Sequence, residues 1–146
     1  MAQATTTPRP KVRPGETMRL TEAMLYRLPP AGWVSILHRV SGLLMFAMLP
    51  LLIWMFDKSV TSEITYDAYL SAFSKGLWIV PGWIIKLICL ALIWAYLHHF
   101  IAGLRHLWMD ITHSVSKAQG RISAFITLGA SVLLTLVLMG KLFGWY

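Results

Sequence analysis

The stretch Leu87-Ile88-Cys89-Leu90-Ala91-Leu92-Ile93-Trp94-Ala95-Tyr96-Leu97-His98-His99-Phe100-Ile101-Ala102-Gly103-Leu104-Arg105-His106-Leu107-Trp108-Met109-Asp110 decides how this chain folds. An uncharged run, Leu87 to Leu97, is followed within a few turns by three histidines, an arginine and an aspartate. A water-exposed helix carries such groups at little cost. A helix this apolar belongs in lipid, where ionisable side chains are expensive and usually functional. His99 and His106 are about 20° apart in helical phase and share a face, whereas His98 points roughly 100° away from His99. Gly103, one turn past His99, leaves space for a flat ligand or a neighbouring backbone. A neutral histidine in a dry helix bundle is a usual axial ligand for haem iron. The plainer alternative is a histidine hydrogen-bonded to a neighbouring helix.

Working outward, the chain has 146 residues, of which 57% are hydrophobic and 13% charged. A soluble domain carries about a quarter charged residues, so this is an integral membrane protein, all α-helical, and one domain over residues 1–146. The net charge of +7 comes without a basic patch interleaved with aromatics. Membrane topology therefore explains it better than nucleic acid does. The single cysteine, Cys89, lies in an apolar run and reads as a packed thiol, with no CxxC pattern for zinc or iron–sulfur.

The pattern predicts three spans, at about residues 33–56, 78–109 and 122–140. The first runs from near Trp33 to Phe56, is kinked by Pro50 and is closed by Asp57-Lys58. A polar loop follows over 57–75, with a short helix expected at Tyr66 to Ser74. Pro81-Gly82 marks entry to the second span, where Lys86 can snorkel to the headgroups. Asp110 to Gly120 is a polar turn in which His113 is solvated. In the third span, Gly129, Ala130 and Ser131 form a small-residue patch suited to helix packing. Residues 1–30 read as a cytoplasmic arm without the apolar core of a signal peptide, carrying a short surface helix at Met18 to Leu28 that stops before Pro29-Pro30.

Lys and Arg counts orient the chain. The arm and the 110–121 loop carry Arg9, Lys11, Arg13, Arg19, Arg27, Lys117 and Arg121; the other side carries Lys58, Lys75 and Lys141. The N-terminus is therefore expected inside. Arg39 and Arg105 lie on that same side, and Ser35, His38, His106 and Asp110 gather with them at one depth. His99 lies seven residues deeper than His106, about 10 Å. A haem on edge would place its iron near His99 and its propionates near His38, Arg39 and His106, since propionates need cationic or hydrogen-bonding groups in a low dielectric. His38, beside Arg39 near the surface, is too shallow to face His99 across a porphyrin, and the third span has no histidine. A sixth protein ligand is thus expected from another subunit. Ser35 and Arg39 share a face. They could bind a quinone carbonyl and stabilise charge on its reduction, although spacing alone favours a helix-end serine and an interfacial arginine. His98 reads as facing a neighbouring helix or headgroups, not as a ligand.

Two segments carry a resemblance. Ser35-Ile36-Leu37-His38-Arg39-Val40-Ser41-Gly42 resembles the SxxHRxSG signature of the cytochrome b subunit of succinate dehydrogenase, respiratory complex II. His99-Phe100-Ile101-Ala102-Gly103-Leu104-Arg105-His106-Leu107-Trp108-Met109-Asp110 resembles that family's second motif, H-x3-G-x-RH-x2-x-D. The similarity runs essentially from Arg9 to the C-terminus, with the motifs in the family's order and a third span after them. The sequence departs from the pattern in having His98 beside the expected ligand, and in its arm beyond Arg9-Pro10; Gly103 and His106 fix the register to His99. The resemblance implies haem b ligation by His99, propionate contacts at His38, Arg39 and His106, and quinone contacts at Ser35 and Arg39. It also implies a haem shared with a second membrane-anchor subunit, and partner iron–sulfur and flavoprotein subunits.

The sequence thus points to three transmembrane helices within a multi-subunit bundle, haem lying between subunits, in a bacterial inner membrane. The chain would anchor a complex in which a soluble flavin subunit oxidises succinate and electrons reach quinone at the inner face. The alternatives are a non-redox helical scaffold or assembly subunit and the anchor of a fumarate reductase. A proton-conducting or transport role is disfavoured, because spans one and three offer no acidic relay through the midplane.

Overall fold

A computed structural model describes residues 28–77, 79–113 and 116–145. Among these residues it places five helices in chain order: α1 (Pro30–Ala47), α2 (Leu49–Val60), α3 (Glu63–Ser74), α4 (Gly82–Thr112) and α5 (Lys117–Phe143). Two of them, α4 and α5, are each long and apolar enough to cross a membrane; α1 and α2, bent by 52° at their junction, make a third such unit when taken as one broken span. The all-helical membrane architecture expected from composition is borne out. Residues 1–27 of the arm fall outside the described residues, and with them all of its expected short helix but Leu28, which is not helical.

Local chemistry sets the boundaries. Pro29 is extended and Pro30 opens α1, where a missing N–H is harmless and φ is already helical. The helix therefore begins three residues before Trp33. Pro50, at the second position of α2, cannot donate to the preceding turn and crowds it. The ladder consequently breaks at Met48, two residues ahead of the proline. Ser62 caps α3 in a reciprocal box with Thr65, and Ser116 caps α5 in another with Gln119. These caps start both helices earlier than hydropathy suggests. At its far end α4 closes on His113 in the left-handed region, φ 51°, where histidine is among the few non-glycine residues enriched. Gly76, φ +98°, turns the chain into a tight loop closed by paired Leu77 and Val80 backbone bonds of 2.8 Å. A side chain at Gly76 would also strike the Val80 carbonyl.

Helix α4 is the centre, packing against α5, α1 and α3. Its buried stripe is Leu92, Ala95, His98, Ala102 and Arg105. The facing stripe on α5 is Gly120, Ala124, Thr127, Ser131 and Thr135. Small and hydroxylated residues at helical spacing let two backbones approach closely in lipid. The patch expected at 129–131 is corrected by this pattern: Ser131 is buried, but Gly129 is exposed with open space beside it, because consecutive residues on a helix face different ways. The apolar core proper is small, Val34, Ala102 and Ala124 with Ala31 and Leu128 against it. Large apolar side chains such as Leu43, Phe46 and Trp108 point outward, as suits a chain surrounded by lipid. Lys86 lies 5.4 Å over the Phe143 ring. Outside the spans, Tyr69 of α3 packs edge-on to Phe73, and burial raises its phenol above the ordinary range.

Candidate functional site

The C-terminal half of α4 presents different side chains to its two neighbours. His99 turns to α1: its Nδ1 is 3.0 Å from the His38 carbonyl and 3.2 Å from Ser41 Oγ. The Ser41 hydroxyl itself donates to that carbonyl at 2.8 Å. A carbonyl only accepts, so Nδ1 carries the proton and Nε2 of His99 keeps a free lone pair. Gly42 makes room for this ring. A Cβ there would lie 2.9 Å from His99 Cε1 and 3.3 Å from Nδ1.

His38 stands between the other two histidines. Its ring centroid is 4.1 Å from that of His99 and 5.4 Å from that of His106. The shallow position expected of His38 is therefore corrected: the proline start of α1 sets it two turns into the helix, level with the α4 histidines. It still cannot oppose His99 on a shared iron. Each metal–imidazole bond is about 2 Å, and rings this close leave no room for a porphyrin between them. Gly103, expected to admit a ligand or a backbone, faces the His38 ring, whose Nε2 would be 3.9 Å from an added Cβ.

Ser35 is half-buried and Arg39 exposed, one turn apart on α1. Neither side chain has a hydrogen bond or ion pair among the described residues. Asp110 and His106 are exposed on α4. Arg105 leaves this group. It is 8% exposed, and turns to α5, where Nε donates to Ser123 Oγ at 2.9 Å and Nη2 to the Gly120 carbonyl at 3.2 Å. His98 also turns to α5 and is fully buried. An open, mostly apolar cavity borders Arg105, Trp108, Ser123 and Thr127 between α4 and α5. Another of about 150 Å³, walled by Trp54, Tyr69, Phe73 and Cys89, sits among α2, α3 and α4 at the opposite end, and its lining is apolar. Sequence reasoning missed Ser41 and Gly42 as the cradle of His99. The available signal was a glycine seven residues after Ser35 and four after His38, on the site-bearing face of an otherwise bulky helix.

Residues 15–138 match the family described as the succinate dehydrogenase/fumarate reductase transmembrane subunit. The chain belongs to this family. Similar relatives named succinate dehydrogenase cytochrome b556 subunit come from Paracoccus denitrificans, 32% identical over 113 residues (77% of this chain, 82% of the relative), and Coxiella burnetii, 36% over 101 residues (68% and 75%). One from Rickettsia felis is 30% identical over 114 residues (78% and 83%). Both motif segments, Ser35–Gly42 and His99–Asp110, fall inside the matched span.

A b-type haem, implied by the relatives' cytochrome name, fits the residues present. An axial histidine needs an unprotonated nitrogen, an orienting bond on the other nitrogen and freedom from crowding. His99 has the first two through the His38 carbonyl, and Gly42 supplies the third. Among the described residues no group of three or more His, Cys, Asp or Glu could enclose a bare metal ion, but a haem asks only for axial ligands.

Proposed function

We propose that this chain anchors a succinate:quinone oxidoreductase, gives one axial ligand, His99, to a b-type haem, and forms part of the quinone site through Ser35 and Arg39. The observation that carries the reading is the bond from His99 Nδ1 to the His38 carbonyl, with Gly42 beneath the ring. It selects one tautomer and presents Nε2 to a ligand. His38, Arg39 and His106 lie around that ring or on the same face of α1 and α4, and suit the propionates. Because His38 is too close to oppose His99, the second axial ligand belongs to another membrane subunit, which shares the haem.

A bound haem supplies a one-electron centre inside the bilayer. The chain's own residues bind, orient and balance charge. Arg39 is a fixed cation and Ser35 a hydroxyl donor one turn away, and quinone oxygens gain negative charge as they are reduced. Succinate chemistry belongs to a flavoprotein subunit, with an iron–sulfur subunit passing electrons to the quinone. The 1–146 chain is one anchor domain in a bacterial inner membrane, with its N-terminal arm and the α4–α5 turn in the cytoplasm. The basic excess on that side supports this orientation.

The test is spectroscopy of the complex purified in mild detergent. His99→Ala is expected to abolish the native bis-histidine signal of the haem, while His98→Ala retains haem bound through His99. A native signal in His99→Ala would remove the ligand assignment.

A further inference from the structure

His98 is fully buried on α4, with 0% exposure, and the ligand role proposed above belongs to its neighbour His99. Its Nδ1 lies 3.2 Å from Ser131 Oγ on α5. The Ser131 hydroxyl also reaches the Leu128 carbonyl at 3.0 Å, so the group that bonds the ring is itself tied to its own helix. Trp94 stacks on the same ring, centroids 5.3 Å apart at 20°. The other nitrogen, Nε2, is buried and makes no bond of good geometry among the described residues, and the ring also lies against the Val34 backbone of α1. A core built only for stability would use an apolar side chain here, since a buried ring nitrogen without a well-formed bond is costly.

The same arrangement recurs seven residues later. Arg105 is buried and bonded to Ser123 and Gly120 on α5, and its neighbour His106 faces His38. Each site histidine on α4 is thus preceded by a polar residue tied to α5. Consecutive residues differ by about 100° in phase. Fixing 98 and 105 against α5 therefore fixes the direction in which 99 and 106 leave the helix. The lever is long: a histidine tip stands about 6 Å from the helix axis, so a 10° rotation of α4 moves it by about 1 Å. That displacement is enough to break the 3.0 Å bond from His99 to the His38 carbonyl. Apolar contacts are non-directional and define such an angle poorly; a hydrogen bond defines it.

We propose that His98, through its bond to Ser131, is a positioning residue that sets the rotation of α4 and so aims His99 at its ligand. The proposal rests on His99 being the haem ligand. It assigns this task to a histidine outside the two sequence motifs.

The experiment uses the whole complex in detergent with Ser131→Ala, His98→Leu and His98→Asn, and His99→Ala as reference. Ser131→Ala removes one hydroxyl and is the variant that keeps the test informative if His98→Leu does not assemble. Two quantities are read: the low-temperature electron paramagnetic resonance of the ferric haem, which reports axial-ligand orientation, and the rate of haem transfer to excess apomyoglobin. Ser131→Ala and His98→Leu should shift the resonance and speed haem loss about tenfold, the lower end for loss of an orienting partner. His98→Asn, which keeps a hydrogen-bonding group near the Nδ1 position, should return both toward wild type. A lower melting temperature with unshifted resonance in Ser131→Ala overturns the proposal, as do equal effects of His98→Leu and His98→Asn. If His99→Ala loses the native signal while Ser131→Ala is unaltered, the positioning role alone falls. An unchanged signal in His99→Ala overturns both the ligand reading and this one.

Discussion

Replacing Gly42 with alanine separates stability from ligation. The new Cβ would lie 2.9 Å from His99 Cε1, at least about 0.6 Å short of an unstrained carbon contact. The contact is with the far end of a side chain, so the ring swings before the helices part. A swing of that size stretches the 3.0 Å bond from Nδ1 to the His38 carbonyl to about 3.6 Å, beyond hydrogen-bonding range. Losing it costs about 1 kcal/mol. Alanine is a better helix former than glycine by about 0.8–1.0 kcal/mol, which offsets that loss, and residual overpacking adds about 1 kcal/mol. Net destabilisation should be small, on the order of 1 kcal/mol, while haem affinity falls about 10- to 100-fold through loss of the orienting bond. Gly42→Ala should therefore assemble and melt near the wild-type temperature, yet purify with substoichiometric haem and a shifted ferric spectrum. Full haem content with a native spectrum in an assembled Gly42→Ala complex would refute the reasoning.

Ser35→Ala should lower succinate–quinone turnover roughly a hundredfold, as for loss of one transition-state donor, while sparing haem content and succinate oxidation by a water-soluble dye; unchanged quinone turnover would return Ser35 to a helix-end role. Arg105→Ala should destabilise the anchor by about 1–3 kcal/mol, because it removes two donors and a packed stem from the α4–α5 contact; thermal denaturation in detergent measures this, and a wild-type midpoint would show the contact to be dispensable. An exported reporter fused after Lys117 should be inactive, since that turn is expected in the cytoplasm; strong activity would invert the topology.

Much of the site was legible because helical phase is a hard constraint. The seven-residue spacing of His99 and His106 puts both on the α1 side, and His98, one residue away, turns to α5 as its phase demands. The apolar runs likewise announced the helices. What hydropathy could not deliver were effects that depend on caps and on the facing helix. Pro30 and Ser116 start α1 and α5 earlier than the apolar signal does, and the first of these shifts moved His38 from the surface to the side of His99. The break at Met48 follows from where Pro50 disrupts the preceding turn. Ser41 and Gly42 gained meaning only when α4 came to lie against them, and Arg105 left the cluster only because α5 offers Ser123 and Gly120.

The acceptor that holds His99 is a main-chain oxygen. Substitution can replace any side chain along α1, yet the His38 carbonyl persists with whatever residue stands at 38. A drifting lineage could therefore exchange His38 for another side chain and keep the atom that sets the tautomer of His99. Position 38 is then free to be tuned for the environment around the ring without dismantling the mount behind it.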